Sequence, residues 1–455
     1  MTCFARASSR IDRCETIGIR GTVTALRGLT LLVDDLPALV GALVSISTSG
    51  GERSGEVVGF DGRHAMVMML GQTSGVRTGD AVRLVRASAS VRAGASMLGR
   101  VVNALGEPID GGAALRGTVE QALSPDPVGP MHRRRITEPL PTGVRAVDLM
   151  TTVGRGQRMG VFAGPGVGKS TLMGMIARRA SADVNVIGLV GERGREVKDF
   201  IEHALGPEGL ARSVVVVATG DESPLMRIRA AMSACAVAEH FRDQGLDVML
   251  MLDSVTRFAH AQRQVGLAVG EPPATKGYTP SVFSMLPLLL ERAGSVEASP
   301  GAARGGSITG FYTILVEGDD MTEPIADAAR GILDGHLVLS RRLAHRGHFP
   351  AIDALDSVSR LQGDVTGEDH RSARRMMVAL LAAYRDAEDL IQIGAYAPGS
   401  NHMTDVAVGF KPRIDAMLQQ RVDEGDSFEA ARGRMVALMT EAAAALAAAE
   451  KGKKK

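Results

Sequence analysis

The sequence predicts an α/β chain in three parts: a small N-terminal β-barrel over 1–94, a domain built on a parallel sheet over 95–362, and a helical C-terminal domain over 363–455. Three observations predict it. Short β runs broken by Gly and Asp fill residues 17–92. Continuous apolar runs then alternate with helical stretches around the segment AGPGVGKST at 163–171. From about 363 the pattern becomes helical. A chain of 455 residues is long enough for about two to four domains.

The barrel is read from IGIRGTVTAL, LTLLVDD, LVSIS, EVVGF, HAMVMML and AVRLV, short strands at close spacing with Gly-rich turns. The stretches LGRVVNALGEPIDG and ITEPLPTGVRAVDLM are Gly- and Pro-punctuated lead-ins. The strands MGVFAG, VNVIGLVG, SVVVVATG and DVMLMLDS are continuously apolar, as strands buried on both faces are. Helices are expected from 169, through 196–205 and over about 224–243, and SITGFYTILVEGDD at 307–320 adds a further strand. The C-terminal part reads as three helical stretches: SARRMMVALLAAYRDAEDLIQI, FKPRIDAMLQQRVDEG and SFEAARGRMVALMTEAAAALAAAE. The final KGKKK reads as a solvated tail.

Lys plus Arg number 52 against 51 Asp plus Glu, so no global charge draws the chain to nucleic acid or to an anionic membrane. Cys3, Cys14 and Cys235 are too sparse for a disulfide framework or a zinc site and fit a reducing cytoplasm. The N-terminus MTCFARASSR lacks the apolar core of a secretory signal. No apolar run approaches the roughly 18–20 residues that span a bilayer. Any action at a membrane would therefore run through partners.

AGPGVGKST follows an apolar strand and precedes a helix-forming stretch, which is where a phosphate-binding loop sits. Gly164, Gly166 and Gly168 let the backbone turn its N–H groups toward an anion, with Ala163, Pro165, Val167 and Thr171 completing the segment. The helix N-terminus adds favourable partial charge. Lys169 reaches the β- and γ-phosphates, and the Ser170 hydroxyl suits Mg²⁺. Ala163 replaces the Gly of the strict pattern at the position that touches phosphate least. The bland alternative is a Gly-rich loop that only turns a strand into a helix.

Two acids extend the site. Asp253 ends the run VMLML, at the end of what is expected to be a neighbouring strand, and so supplies a metal-side carboxylate; alone it could equally be a helix cap. Glu192, in GERGRE, ends the strand after the phosphate-loop helix. Strand C-termini of a parallel sheet share one edge, so Glu192 would face the γ-phosphate and polarise an attacking water. Arg193 could hold Glu192 or touch phosphate. The same residues could also be a surface cluster capping the next helix, and they leave both readings open.

Together, PLPTGVRAVDLMTTVGRGQRMGVFAGPGVGKST, GERGREV, LMLDSVTRFAHAQRQVGLAVGEPPATKGYTPSVF, LLERAG and DALDSVSR resemble the type III protein-export ATPases, relatives of the rotary ATP synthase alpha and beta subunits. GRGQR and KGYTPSVF resemble the flagellar members more than the injectisome ones. The resemblance implies a RecA-type P-loop motor domain that hydrolyses ATP with Mg²⁺. It implies that Glu192 is the catalytic glutamate, that Asp253 stands on the metal side, and that Arg360, in DSVSR, is an arginine finger reaching a neighbour's site. Phe349, in HFPAID, resembles the aromatic that lies against adenine, although a plain core role is the alternative.

Acid and finger in one chain imply a homohexamer. The implied partners are a central stalk protein at the pore loop GEPPATKGYTPS (270–281), a stator-like regulator at the N-terminus, export-gate membrane proteins, and export substrates with their chaperones. The implied location is the cytoplasm, peripheral to the inner face of the cytoplasmic membrane. No strongly acidic segment stands where a rotary shaft would be driven; the nearest stretch reads YRDAEDLIQI.

Three other readings compete. A P-loop protein that binds nucleotide only as a structural or regulatory ligand has no need of Lys169, Glu192, Asp253 and Arg360 together. A subunit of a rotary ion-translocating ATPase would share its sites with a second subunit type. A hexameric nucleic-acid translocase would need stacking platforms, yet residues 1–94 offer only Phe4 and Phe60 as aromatics, so no nucleic-acid partner is expected.

Overall fold

A computed structural model of the chain describes residues 18–298, 303–316, 318 and 320–452. Cys3, Cys14, the N-terminal regulator segment and the last three lysines lie outside them. The six β runs form six strands: β1 (Arg20–Arg27), β2 (Thr30–Asp34), β3 (Leu43–Thr48), β4 (Gly51–Asp61), β5 (His64–Met69) and β6 (Ala81–Arg86). They close into a barrel in the order β1-β2-β5-β4-β3-β6. Closure removes the free edges that such short strands would otherwise expose. Inward residues such as Val33, Val44, Ile46, Val67 and Val82 fill the barrel as its own core. Two strands beyond it, β7 (Ser90–Ala93) and β9 (Val119–Ala122), pair with each other.

The central sheet uses β8 (Arg100–Asn103), β10 (Arg158–Ala163), β11 (Val184–Glu192), β12 (Ser213–Thr219), β13 (Asp247–Asp253), β15 (Ser307–Leu315), β16 (Gly335–Leu339) and the short β17 (Val358–Ser359). Its order is β17-β16-β10-β15-β13-β11-β12-β8, with β14 (Gly294–Ser295) pairing β15 at the side. The pairs from β16 to β8 are parallel; β17 joins antiparallel. The apolar runs are continuous because successive side chains enter two different cores. Leu250 and Leu252 pack under the helices Pro224–Arg242 and Val255–Ala268. Met249 and Met251 pack under the phosphate-loop helix Lys169–Arg179.

The C-terminal helices Glu368–Gln392, His402–Leu418 and Phe428–Gly452 extend that second core through Met377, Ile414 and Met435. The helical reading of QQRVDEG is corrected. The second helix ends at Leu418 and residues 419–427 form a loop, because its last carbonyls are captured by a side chain from outside the helix, as described below. Among the described residues, no helix is long and apolar enough to cross a membrane. Cys235 is free, with its thiol pushed up to about 12 by burial, so it stays protonated and inert.

The barrel is joined to the helix Pro224–Arg242 by a buried ion pair. Arg229 Nη1 donates to Glu56 Oε2 at 2.5 Å, and Arg229 Nη2 to the Ser90 carbonyl at 3.2 Å. Burial pushes the Glu56 carboxyl up and Arg229 opposes it. Removing one partner strands the other charge, so Arg229→Ala is expected to cost about 3–5 kcal/mol. The check is the urea midpoint of the barrel. Adding Glu56→Gln should recover part of the loss, and an additive double variant would contradict this account.

Candidate active site

β10 ends at Ala163, and the loop turns there into the helix Lys169–Arg179. Gly166 and Gly168 take positive φ values of 77° and 91°, which only glycine adopts freely. Gly164 does not, which narrows the sequence reading to two of the three glycines. Gly168 caps the helix in the left-handed region, and its carbonyl accepts from the Leu172 N–H at 3.0 Å. Val167 is buried, whereas Pro165, Gly166, Ser170 and Thr171 face solvent.

Glu192 and Asp253 arrive from the C-terminal ends of β11 and β13, on the same edge. The sheet order corrects one expectation. β13 is not adjacent to the phosphate-loop strand, because β15 lies between them. The intervening strand supplies a ligand of its own: Thr313 Oγ1 donates to Asp253 Oδ1 at 2.6 Å. Asp253 is 5% exposed and its other partner is Lys169 Nζ. Lys169 Nζ also lies 3.7 Å from Glu192 Oε1. One ammonium thus stands between two carboxylates in a nearly closed site.

The electrostatics follow from that placement. Burial opposes the charge on Lys169, but Asp253 and Glu192 outweigh it and hold the ammonium above its ordinary range. Burial pushes Glu192 up to about 7; the like charge of Asp253 adds to this and Lys169 opposes it. A carboxylate so poised accepts a proton at neutral pH far better than an exposed one.

Arg193 does not hold Glu192. Its side chain is 81% exposed and pairs with Glu196 at 3.3 Å, because it caps the helix Gly194–Asp199 and turns outward. Besides Lys169, the arginine whose charge favours ionised Glu192 is Arg257, and its Nε is buried with no hydrogen-bond partner among the described residues. Arg257 sits one turn into the helix that Ser254 caps, which places it over Gly191. Its signal was present in LMLDSVTRF, an arginine one turn after the strand-terminal acid, and sequence reading missed it.

Phe349 is 46% exposed, and a side chain at Gly168 would meet its ring at 3.8 Å. It therefore stands against the phosphate loop and is not a core residue. Beyond it opens a cleft of about 840 Å³, lined on one side by Val167, Gly168 and Phe349 and on the other by Gln419, Val422 and Glu424. This volume suits a small-molecule ligand. The far wall comes from the C-terminal domain, in the stretch read as helix. Truncating the ring, Phe349→Ala, is expected to weaken ADP binding about tenfold. Equilibrium titration checks this; an unchanged affinity would remove Phe349 from the base site.

Arg360 lies elsewhere. It follows Ser359, which pairs with Gly335, which pairs with Met159 at the start of β10. The phosphate loop begins at the other end of that strand, about 13 Å away at 3.3 Å per residue. Arg360 is exposed on this opposite edge, and its backbone N–H donates to the Asp334 carbonyl at 2.9 Å. It cannot serve its own chain's phosphate loop.

Comparison with known proteins agrees part by part. Residues 23–85 match the ATP synthase alpha/beta family β-barrel domain, 143–359 its nucleotide-binding domain, and 366–437 the T3SS EscN ATPase C-terminal domain. The flagellum-specific ATP synthase of Treponema pallidum is 52% identical over 91% of this chain and 92% of its own length. The type 3 secretion system ATPase of Xanthomonas euvesicatoria is 48% identical over 90% and 91%. The solved structure of the assembled ATPase EscN with its central stalk EscO, from enteropathogenic E. coli, superposes with a TM-score of 0.84 at 40% identity, covering 92% of this chain and all of that one. A phosphate loop, a poised glutamate, a displaced arginine and this identity along nine-tenths of the chain lead to one conclusion: the protein is an ATPase of the flagellum-specific ATP synthase and type III secretion ATPase family.

Proposed function

We propose that the chain is the ATP-hydrolysing motor of a flagellar protein-export apparatus, working as a homohexameric ring that releases chaperones and promotes entry of substrates to the export gate. The observation that carries the ring is the separation of Arg360 from Lys169 and Glu192 on opposite edges of one sheet. A site made from one chain's acid and its neighbour's arginine fits that separation. Identical subunits then complete every site through heterologous contacts closed by rotation.

In each site Ala163 to Thr171 would wrap the phosphates, with Lys169 turning from the carboxylates to the β- and γ-phosphates. Glu192 would orient the attacking water and take its proton. Arg360 of the next subunit would meet the charge that builds on the transferring phosphoryl. Arg257, over Gly191, adds positive charge near Glu192, where sequence had offered Arg193. Ser170 and Asp253 offer the hard oxygen donors that Mg²⁺ takes beside phosphates, and one carboxylate with one hydroxyl is an ordinary protein share of such a site. Bound there, Mg²⁺ would neutralise phosphate charge. Phe349 would lie against adenine.

The solved EscN complex supports a stalk, which would meet the 270–281 loop. The motif resemblance alone supplies the rest: a stator-like regulator at the N-terminus, and gate proteins that would hold the ring at the inner face of the cytoplasmic membrane. The relatives favour neither a rotary ion-translocating subunit nor a nucleic-acid translocase. The test measures hydrolysis per subunit against protein concentration, with ring size read by light scattering. A rate that climbs as a six-fold ring forms is expected. A flat rate from a monomer overturns the shared-site reading, and intact motility after gene deletion overturns the flagellar one.

A further inference from the structure

We propose that Arg145 is a positioning residue for the base half of the nucleotide cleft, holding both of its walls in register across the boundary with the C-terminal domain; this rests on the cleft being the ATP site. Arg145 is 9% exposed and spends its side chain on the far wall. Its Nε donates to the Met417 carbonyl at 2.9 Å, its Nη2 to the Gln419 carbonyl, and its Nη1 to Glu424 Oε1 at 2.8 Å, with Asp426 at 3.6 Å. Met417 lies in the last turn of the helix His402–Leu418 and Gln419 caps it, where orphaned acceptors and the negative end of the helix dipole favour a cation. A guanidinium meets three acceptors at once because its donors form a rigid fork.

The near wall is tied to the same point. The Arg145 N–H donates to Gln420 Oε1 at 2.8 Å, and the Gln420 N–H donates to the Phe349 carbonyl at 2.9 Å. Gln420 Nε2 donates to the Gly143 carbonyl at 2.8 Å and to the Glu424 carbonyl at 2.9 Å. Phe349 on one side and 419–424 on the other are therefore both referenced to Arg145. The phosphate-loop helix adds a second hold: Arg179 Nη2 donates to the Val422 carbonyl at 2.7 Å and Arg178 Nη2 to the same atom at 3.3 Å. Among the described residues, neither Arg145 nor Gln420 bonds to Lys169, Glu192 or Asp253. Loosening the wall should therefore cost base recognition and spare phosphate chemistry.

The test uses the full chain and two probes, Mg-ADP and Mg-pyrophosphate, with kcat and KM for ATP alongside. Arg145→Ala is expected to raise the ADP Kd and the ATP KM about tenfold while kcat stays within about twofold and pyrophosphate affinity is unchanged. Arg145→Lys keeps the charge without the fork and should fall between. Gln420→Ala, which leaves Arg145 in place, should show the same base-dependent weakening and serves if Arg145→Ala does not fold. Equal weakening of ADP and pyrophosphate, or a fall in kcat with KM unchanged, would overturn the proposal. Phe349→Ala separates the two readings. If it weakens ADP and the Arg145 and Gln420 variants do not, only the role of Arg145 fails; if it too leaves ADP unchanged, the base cleft itself is misassigned.

Discussion

Arg360→Ala is expected to lower kcat by about 10³–10⁵, roughly 4–7 kcal/mol of barrier, while rings still form and still bind ATP. The physical ground is the distance along the sheet. Arg360 stands at the Met159 end of β10, and its own phosphate loop begins at the Ala163 end. If it acts, it acts on a neighbour, and so the loss can be complemented. Mixing Arg360→Ala subunits with Glu192→Gln subunits creates interfaces that hold one intact acid and one intact arginine. Random mixing makes about a quarter of the interfaces complete, so activity should return to a comparable fraction. Each variant alone stays inactive. Mixed rings that stay inactive, with exchange verified, would sink the shared site.

Glu192→Gln is expected to lower kcat by about 10²–10⁴, the usual contribution of a general base, with nucleotide affinity kept or raised. The pH profile gives a sharper signature. The group must be unprotonated to accept a proton, so kcat/KM should rise with pH through about 7, the value to which burial pushes Glu192. The variant's residual rate should lose that rise. Stability moves the opposite way. The carboxyl titrates near 7 in the folded chain against an ordinary value of 4.5, so the folded state binds the extra proton and stability falls as pH climbs between them. Glu192→Gln should therefore raise the melting temperature of the nucleotide-free protein at pH 8 and leave it nearly unchanged at pH 4. A variant less stable than the parent at pH 8 would mean that Lys169 depends on the Glu192 charge more than burial and Asp253 penalise it.

What the sequence by itself determined is local. Six barrel strands could be read because Gly and Asp turns bound each short run. The parallel sheet could be read because strands buried on both faces lose their alternation. Lys169, Glu192 and Asp253 could be read because each ends or follows such a strand, and strand ends share one edge. The tertiary structure decided what depends on order across the sheet and between domains. No local pattern inserts β15 between β10 and β13, so the hold of Thr313 on Asp253 could not be foreseen. Arg193 and Arg257 are both arginines next to the acids in sequence. Only the turn that caps each helix sends one to solvent and packs the other over Gly191, where Glu192 feels its charge. QQRVDEG has ordinary helical composition. It becomes a cleft wall because Arg145, more than 270 residues earlier, satisfies the carbonyls that would have continued the helix. Helical and strand periodicity report which face a residue shows. Contacts made across hundreds of residues decide which partner waits there.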